Sequence, residues 1–286
     1  MTLIEAQRQV TKILRDAGIE NAANEARFFL QDALGYDSVQ LVTGYRDYAC
    51  QTCVEEAFAW AKRRAAGEPL QYILGHTDFM GLDIKVAPGV LIPRPETEGL
   101  CELLLKAEMA PKRILDLCTG SGCIAAWAAH AFPETAVIAT DLSEEALAIA
   151  EENCKAHESF SGQVKLLQGD LFEALPAEVE PFDVIVSNPP YIPSATVETL
   201  ESEVKDHEPR LALDGGPEGM DIVSRIIEEA PARLIPGGLL LMEIDDTQKE
   251  SVLACCRSSG QYDAFAVLND LAGKVRYLKA TTKREG

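Results

Sequence analysis

Apolar and polar positions along this chain follow two rhythms, and the change comes near residue 75. Before it, only helical spacing occurs. Thr2-Leu-Ile-Glu5 has the form of a capping box, and Val10, Ile13, Leu14 and Ala17 continue one apolar face. A second helix is predicted from about Asn21 through Phe28, Phe29, Leu30 and Leu34, with its stop at Gly35. Thr52-Cys-Val-Glu55 reads as another capping box, opening a helix through Phe58, Trp60 and Ala61 that ends before Gly67-Glu-Pro69. Residues 1–75 are therefore expected to form a small all-helical domain, a scaffold or a docking piece for the substrate, with no catalytic signature.

Across residues 76–95 short β-like runs take over, Phe79 to Val86 and then Val90-Leu-Ile92, broken at Pro88-Gly89. This predicts a β-hairpin linker. From 96 to 286 strands and helices alternate, with strands near 112–117, 136–141, 164–169, 182–187 and 238–244. Two more, near 263–269 and 275–281, follow without a helical crossover. The pattern predicts a doubly wound α/β sheet whose last pair is antiparallel.

Charge narrows the partners. Asp and Glu number 46 against 26 Lys and Arg, a formal charge of −20, and so acidic a surface repels phosphate backbones. No direct nucleic-acid binding is expected, while a basic protein partner remains compatible. The amino terminus lacks the basic and apolar regions of a signal peptide, and no apolar stretch approaches a membrane span, so no membrane association and a cytoplasmic location are expected. Eight cysteines fit that compartment as free thiols. Cys50-Gln-Thr-Cys53 has the spacing of a metal or redox pair, but no second pair or nearby His completes a ligand set, so no metal site is predicted.

The chemistry is expected at Asn188-Pro189-Pro190-Tyr191. These residues directly follow Phe182-Asp-Val-Ile-Val-Ser187, a buried parallel strand by its continuous apolar character, and ligands of open α/β sheets bind at carboxyl ends of strands. The prolines hold the chain extended and remove backbone donors. The Asn188 side-chain oxygen and the Pro189 carbonyl then form an acceptor pair for both hydrogens of a planar NH2 group, with the Tyr191 ring placed to stack on it. An amide or aromatic amine nitrogen is the implied target.

A second cluster follows the first strand of the sheet. Cys118-Thr119-Gly120-Ser121-Gly122 joins that strand to an apolar helix, the kind of turn that lets a ligand approach the backbone. Asp141 ends the next strand about 20 residues on, where a carboxylate can accept both ribose hydroxyls. Gly120-x-Gly122-x-x-Ala125 alone also fits a relaxed dinucleotide fingerprint. Asp170, suited to an exocyclic adenine amine, and Leu171, suited to covering the ring, break the tie together with Asn188. As a set these residues resemble a class I, Rossmann-like, S-adenosylmethionine-dependent methyltransferase.

The resemblance extends further. Gly67-Glu-Pro69, Gln71-Tyr-Ile-x-Gly75, Leu91-Ile-Pro-Arg-Pro-Glu-Thr-Glu98, Asp116-Leu-x-Thr-Gly-Ser-Gly122, Asn188-Pro-Pro-Tyr-Ile-Pro193, Glu208-Pro-Arg210 and Ala212-Leu-Asp-Gly-Gly216 are similar to the protein-(glutamine-N5) methyltransferases of the PrmC or HemK family. The likeness covers nearly the whole chain. It implies S-adenosylmethionine as cofactor and, as substrate partner, a peptide chain release factor modified at the glutamine of its Gly-Gly-Gln loop. It implies cofactor contacts at Cys118, Thr119, Gly120, Ser121, Gly122, Asp141, Asp170, Leu171 and Asn188. Substrate contacts would run through Asn188, Pro189, Pro190 and Tyr191, with Asn188, Pro189 and Tyr191 catalytic. Cys118 and Asp245 stand where the family usually has Gly, and no role follows from sequence for Glu243 or Gln248.

Three other readings share parts of this pattern: a glutamine methyltransferase of a large-subunit ribosomal protein, an adenine-N6 DNA methyltransferase, and a non-catalytic cofactor-binding assembly factor. The DNA enzyme should carry a basic recognition region for flipping a base from duplex, and none is visible. The intact Asn188 tetrapeptide argues against the assembly factor. His76, His130, His157 and His207 read as surface or packing residues, and Arg94 either as a substrate contact or as a backbone anchor.

Overall fold

The computed structural model describes residues 1–107, 109–156 and 164–284, which leaves His157 outside the described residues. The chain divides into two compact units, Met1–His76 with Glu201–His207, and Thr77–Leu200 with Glu208–Gly286.

In the first unit the helices Leu3–Asp16, Ala22–Leu34 and Gln51–Ala65 enclose Val10, Leu14, Phe29, Leu30, Leu41 and Ala57, all with no exposed surface. The first capping box forms, with Thr2 N donating to Glu5 Oε2 at 2.9 Å, and Gly35 closes the second helix in the left-handed region at φ +64°. The box expected at Thr52 does not form. Cys50 is the cap instead, which puts Thr52 inside the first turn, and Glu55 accepts from Gln51 Nε2 at 2.9 Å. Two short helices, Ser38–Thr43 and Leu70–Leu74, complete the unit. The first is capped by Asp37, whose Oδ1 accepts from Gln40 N at 2.7 Å. The returning segment is tied in by Arg64, a buried guanidinium paired with Glu25 at 2.7 Å and also with Glu203. Burying that charge is tolerable because two carboxylates face it.

Strands β1 (His76–Phe79) and β2 (Leu82–Lys85) form a two-stranded sheet. Its turn is Met80-Gly81, with φ +52° and +80°, and not Pro88-Gly89. Two successive positive φ values match the twist of a tight hairpin, whereas residues 88–92 carry no strand at all. The sequence reading missed this because Met gives no turn signal.

The main sheet contains β3 (Arg113–Leu117), β4 (Ala136–Asp141), β5 (Val164–Gln168), β6 (Phe182–Ser187), β7 (Leu234–Glu243), β8 (Tyr262–Asn269) and β9 (Val275–Thr282) in the spatial order β5-β4-β3-β6-β7-β9-β8. The first five are parallel, and β9 pairs antiparallel with both neighbours, as expected. Strand β7 begins four residues earlier than its apolar run. Phe182 pairs Leu234 while Val184 already pairs Leu239, so the Pro236-Gly237-Gly238 stretch is absorbed as a bulge. Strands β3 and β6 are buried on both faces, which explains their unbroken apolar character. Strand order reverses between them, and a crevice opens there at the carboxyl ends of the strands. Among the described residues no helix is long and apolar enough to cross a membrane.

Candidate active site

The loop after β3 is built on left-handed backbone. Cys118, Gly120 and Gly122 have φ of +58°, +56° and +77°. Glycine adopts this region freely, but Cys118 bears a cost of about 1–2 kcal/mol there. Gly122 is also required sterically, since a Cβ there would lie 2.8 Å from the Ala150 Cβ. The helix Cys123–Ala131 that follows is almost wholly buried and rich in alanine, which permits that approach.

Side chains fix the loop from beneath. Asp116, fully buried, accepts from Thr119 Oγ1 at 2.6 Å, and burial pushes its carboxyl up to about 7. Asn153 donates to Ser121 O at 2.7 Å and also pairs with the backbone of Lys85 in both directions, at 2.7 and 2.9 Å. One amide thus joins β2 to the loop. Asp141 accepts from Gly120 N at 2.8 Å through Oδ2 and from Ser143 N at 2.9 Å through Oδ1. Its pKa is raised, because burial outweighs those backbone donors.

These residues wall a cavity of about 380 Å3. Of the positions singled out in the sequence, Cys118, Thr119, Gly120, Ser121, Asp141, Asp170, Leu171, Asn188 and Pro190 line it, whereas Gly122, Pro189 and Tyr191 do not. Thr140 Oγ1, buried at the same wall, has no hydrogen-bond partner among the described residues. Both oxygens of Asp170 accept from Arg225 Nη1, at 3.1 and 3.0 Å, a partner that sequence reasoning did not identify. Leu171 is buried at φ +48°, another strained position at the crevice.

The tetrapeptide Asn188-Pro189-Pro190-Tyr191 rests on a network that the sequence did not disclose. Asn188 Nδ2 donates to Thr97 Oγ1 at 3.0 Å, and Thr97 Oγ1 donates to Glu243 Oε2 at 2.9 Å. Tyr191 OH donates to the other oxygen, Oε1, at 2.8 Å. Glu243 is buried at the carboxyl end of β7, whose Met242 pairs Ser187, so it emerges beside Asn188. Burial raises its pKa, and burial beside Glu243 raises that of Tyr191. Gln248 donates to Tyr191 O at 2.9 Å and to Gly219 O at 2.8 Å. Asp245 is an ordinary cap with φ −73°, accepting from Thr247 N at 2.9 Å, so replacing glycine there costs no strain. Tyr191 is therefore a pinned residue with its hydroxyl turned to Glu243.

Arg94 pairs with the buried Glu208 and is not among the residues that line the cavity. His76 pairs with Asp32 at 2.9 Å, and His130 is exposed at a helix end. The signal that could have found Thr97 and Glu243 is positional. Thr97 lies in the first turn of the helix Pro95–Lys106, and Glu243 ends the strand beside β6.

Comparison with known proteins places the chain in a family by sequence. Residues 5–75 match the family model of the PrmC N-terminal domain, and residues 95–216 match that of the methyltransferase small domain. The release factor glutamine methyltransferase of Geobacter sulfurreducens is 42% identical over 252 residues, covering 88% of this chain and 87% of that one. That of Moorella thermoacetica is 39% identical over 287 residues and the whole of both chains. In fold, the chain is similar to the T. thermophilus 16S rRNA N2 G1207 methyltransferase, solved with AdoMet and guanosine, with a TM-score of 0.52 at 19% identity over 73% of this chain and 50% of that one. The chain belongs to the release factor glutamine methyltransferase family.

Proposed function

We propose that this chain methylates the side-chain amide nitrogen, N5, of the glutamine in the Gly-Gly-Gln loop of peptide chain release factors, using S-adenosylmethionine. The observation that carries the reading, beside membership of the family, is an acceptor left open at the crevice. With Nδ2 committed to Thr97, Asn188 Oδ1 has no donor among the described residues, and neither has the Pro189 carbonyl. An NH2 group is the complement of such a pair.

The crevice residues fit the cofactor. Each Asp141 oxygen retains a lone pair for a hydroxyl donor beyond its backbone bond, Thr140 offers a buried hydroxyl without a partner, and Leu171 gives apolar cover. Asp170, although gripped by Arg225, retains acceptor capacity for an amine. When bound, S-adenosylmethionine supplies a methyl group already activated by its sulfonium sulfur. The protein's task lies on the other side, since an amide nitrogen has its lone pair delocalised into the carbonyl. Asn188 Oδ1 and the Pro189 carbonyl hold both N–H bonds, restrict rotation of the amide and stabilise positive charge developing on nitrogen. No strong base is needed, because the amide is cationic on nitrogen once it has taken the methyl group, and in that form it is strongly acidic and gives its extra proton to water. Gly120 and Asp141 support each other by the 2.8 Å bond, so the loop is preorganised before binding.

The helical unit supplies selectivity on this reading, because the tetrapeptide senses only a terminal amide. Val39, Val42 and Tyr48 stand 69%, 53% and 86% exposed on it, apolar surface suited to a protein partner. Release factors work on the ribosome, so the activity is placed in the cytoplasm. The test is transfer of labelled methyl groups to purified release factor, followed by peptide mapping. Label on the Gly-Gly-Gln glutamine supports the reading. Label confined to a ribosomal protein, or none on the release factor, overturns it.

A further inference from the structure

We infer that Thr97 and Glu243 are positioning residues that fix which end of the Asn188 amide faces the substrate, and so make the site select a carboxamide over a carboxylate. This rests on the proposed glutamine reading and concerns how the same site tells glutamine from glutamate.

The argument is an account of protons. Asparagine has a donor end and an acceptor end of nearly the same shape, so sterics alone do not choose which points outward. A hydroxyl has one proton to give. Thr97 gives it to Glu243 Oε2 at 2.9 Å, and Tyr191 gives its own to Oε1 at 2.8 Å, so both oxygens of the carboxylate act as acceptors. Having spent its proton, Thr97 Oγ1 can only accept from Asn188, and the 3.0 Å contact is therefore made by Nδ2. Oδ1 is left as the outward end. The buried carboxylate is the sink of a one-way chain: target N–H to Asn188, Asn188 to Thr97, Thr97 to Glu243. Aligned donors polarise one another, which makes Oδ1 a stronger acceptor than that of an isolated amide.

The surroundings keep the chain pointing this way. Burial raises the pKa of Glu243, while the hydrogen bonds from Tyr191 and Thr97 and the charge of Arg276 favour its ionised form and Glu96 opposes it. Tyr277 lies opposite Glu243 on β9 and donates to Glu96 O at 2.6 Å, so its proton is committed elsewhere. Thr97 itself is buried at the wall of the cavity, one bond from Asn188. A substrate carboxylate would meet Oδ1 and the Pro189 carbonyl with no hydrogen to offer, an unpaired and repulsive contact.

Two replacements separate this role from simple packing. Thr97→Val keeps the shape and removes the hydroxyl; Thr97→Ser keeps the hydroxyl and removes the methyl. With full-length enzyme and full-length release factor, Thr97→Val is expected to lower kcat about tenfold, the worth of one hydrogen bond, with S-adenosylmethionine affinity unchanged. Thr97→Ser should recover most of that loss. A release factor carrying Gly-Gly-Glu serves as a competitive probe: it should inhibit Thr97→Val more strongly than wild type, because the freed amide can turn its NH2 outward. If Val retains wild-type kcat, if Ser is as impaired as Val, or if inhibition by the Glu variant does not change, the inference fails. Should Thr97→Val not fold, Thr97→Ala against Thr97→Ser gives the same contrast. Wild-type transfer to the Gln release factor is the control. Its absence would count against the functional reading, and its presence with an indifferent Thr97 against this inference alone.

Discussion

The helical unit and the crevice of the seven-stranded sheet bury very different things. In the helical unit the buried set is apolar apart from Glu25 and Arg64, which pair with each other. At the crevice end of the sheet Asp116, Thr119, Thr140, Ser187 and Glu243 are buried, and Cys118 and Leu171 sit at positive φ. The first region is packed for stability. The second gives up stability to hold polar atoms and tight backbone where a ligand needs them. The contrast can be measured because Trp60 lies in the helical unit and Trp127 in the helix after the loop 118–122. A Trp60→Phe background leaves Trp127 as reporter of the sheet unit alone.

The largest effect concerns Asp116. Its ordinary value of 3.8 rises to about 7 in the fold, so between those limits the folded state holds a proton that the unfolded chain gives up. Stability of the sheet unit should therefore fall as pH climbs from 4 to 7, by up to about 4 kcal/mol. Asp116→Asn keeps an acceptor for Thr119 and removes the charge. In urea melts followed by Trp127, the variant should be more stable than its parent at pH 7.5 and close to it at pH 4. Parallel curves at both pH values would show that the buried carboxyl costs nothing.

Next comes Asn188, on the target side of the crevice. Asn188→Ala should lower methyl transfer at least about a hundredfold, roughly 2.7 kcal/mol in the barrier, by removing one preorganised polar group. Cofactor affinity should change little, since Asp141 and the loop remain. Turnover near wild type would break the assignment.

Asp141 should act in the opposite sense. Asp141→Ala removes the carboxylate that holds Gly120 and Ser143 and is proposed to accept hydroxyl hydrogens, so S-adenosylmethionine affinity measured by calorimetry should weaken by roughly 1.5–3 kcal/mol. NAD in the same cell should give no heat. Unchanged affinity would move the cofactor away from this carboxylate, and tight NAD binding would revive a dinucleotide role.

What the sequence disclosed and what it concealed divide along the same line. Strand positions were legible because β3 and β6 are buried on both faces and read as short apolar runs. The position of Asp141 and Asn188 at the cavity wall was legible because the first ends a short apolar strand and the second directly follows one. The hairpin turn was concealed by Met80, which adopts positive φ without belonging to the residue types that advertise it. Thr97, Glu243 and Arg225 were concealed because their partners lie 91, 146 and 55 positions away, and long-range pairing leaves no local pattern. A Thr in a first helical turn and a Glu at a strand end look like ordinary caps until the sheet order places them side by side.

The smallest effect tests the strain at Cys118. Glycine normally destabilises relative to alanine, by about 0.5–1 kcal/mol, because it has more freedom to lose. At φ +58° the order should reverse, since a Cβ in the left-handed region costs about 1–2 kcal/mol and glycine has none. Cys118→Ala retains that cost and also loses the contacts of a thiol packed against the sheet core, whereas Cys118→Gly loses the contacts but sheds the strain. Burial also pushes the thiol pKa up, so no thiolate is present to confuse the comparison near neutral pH. Cys118→Gly should therefore be more stable than Cys118→Ala by about 1 kcal/mol in the Trp127 signal, and should bind S-adenosylmethionine at least as tightly. If the alanine variant is the more stable of the two, the loop carries no strain at this position, and the sulfur is there for packing alone.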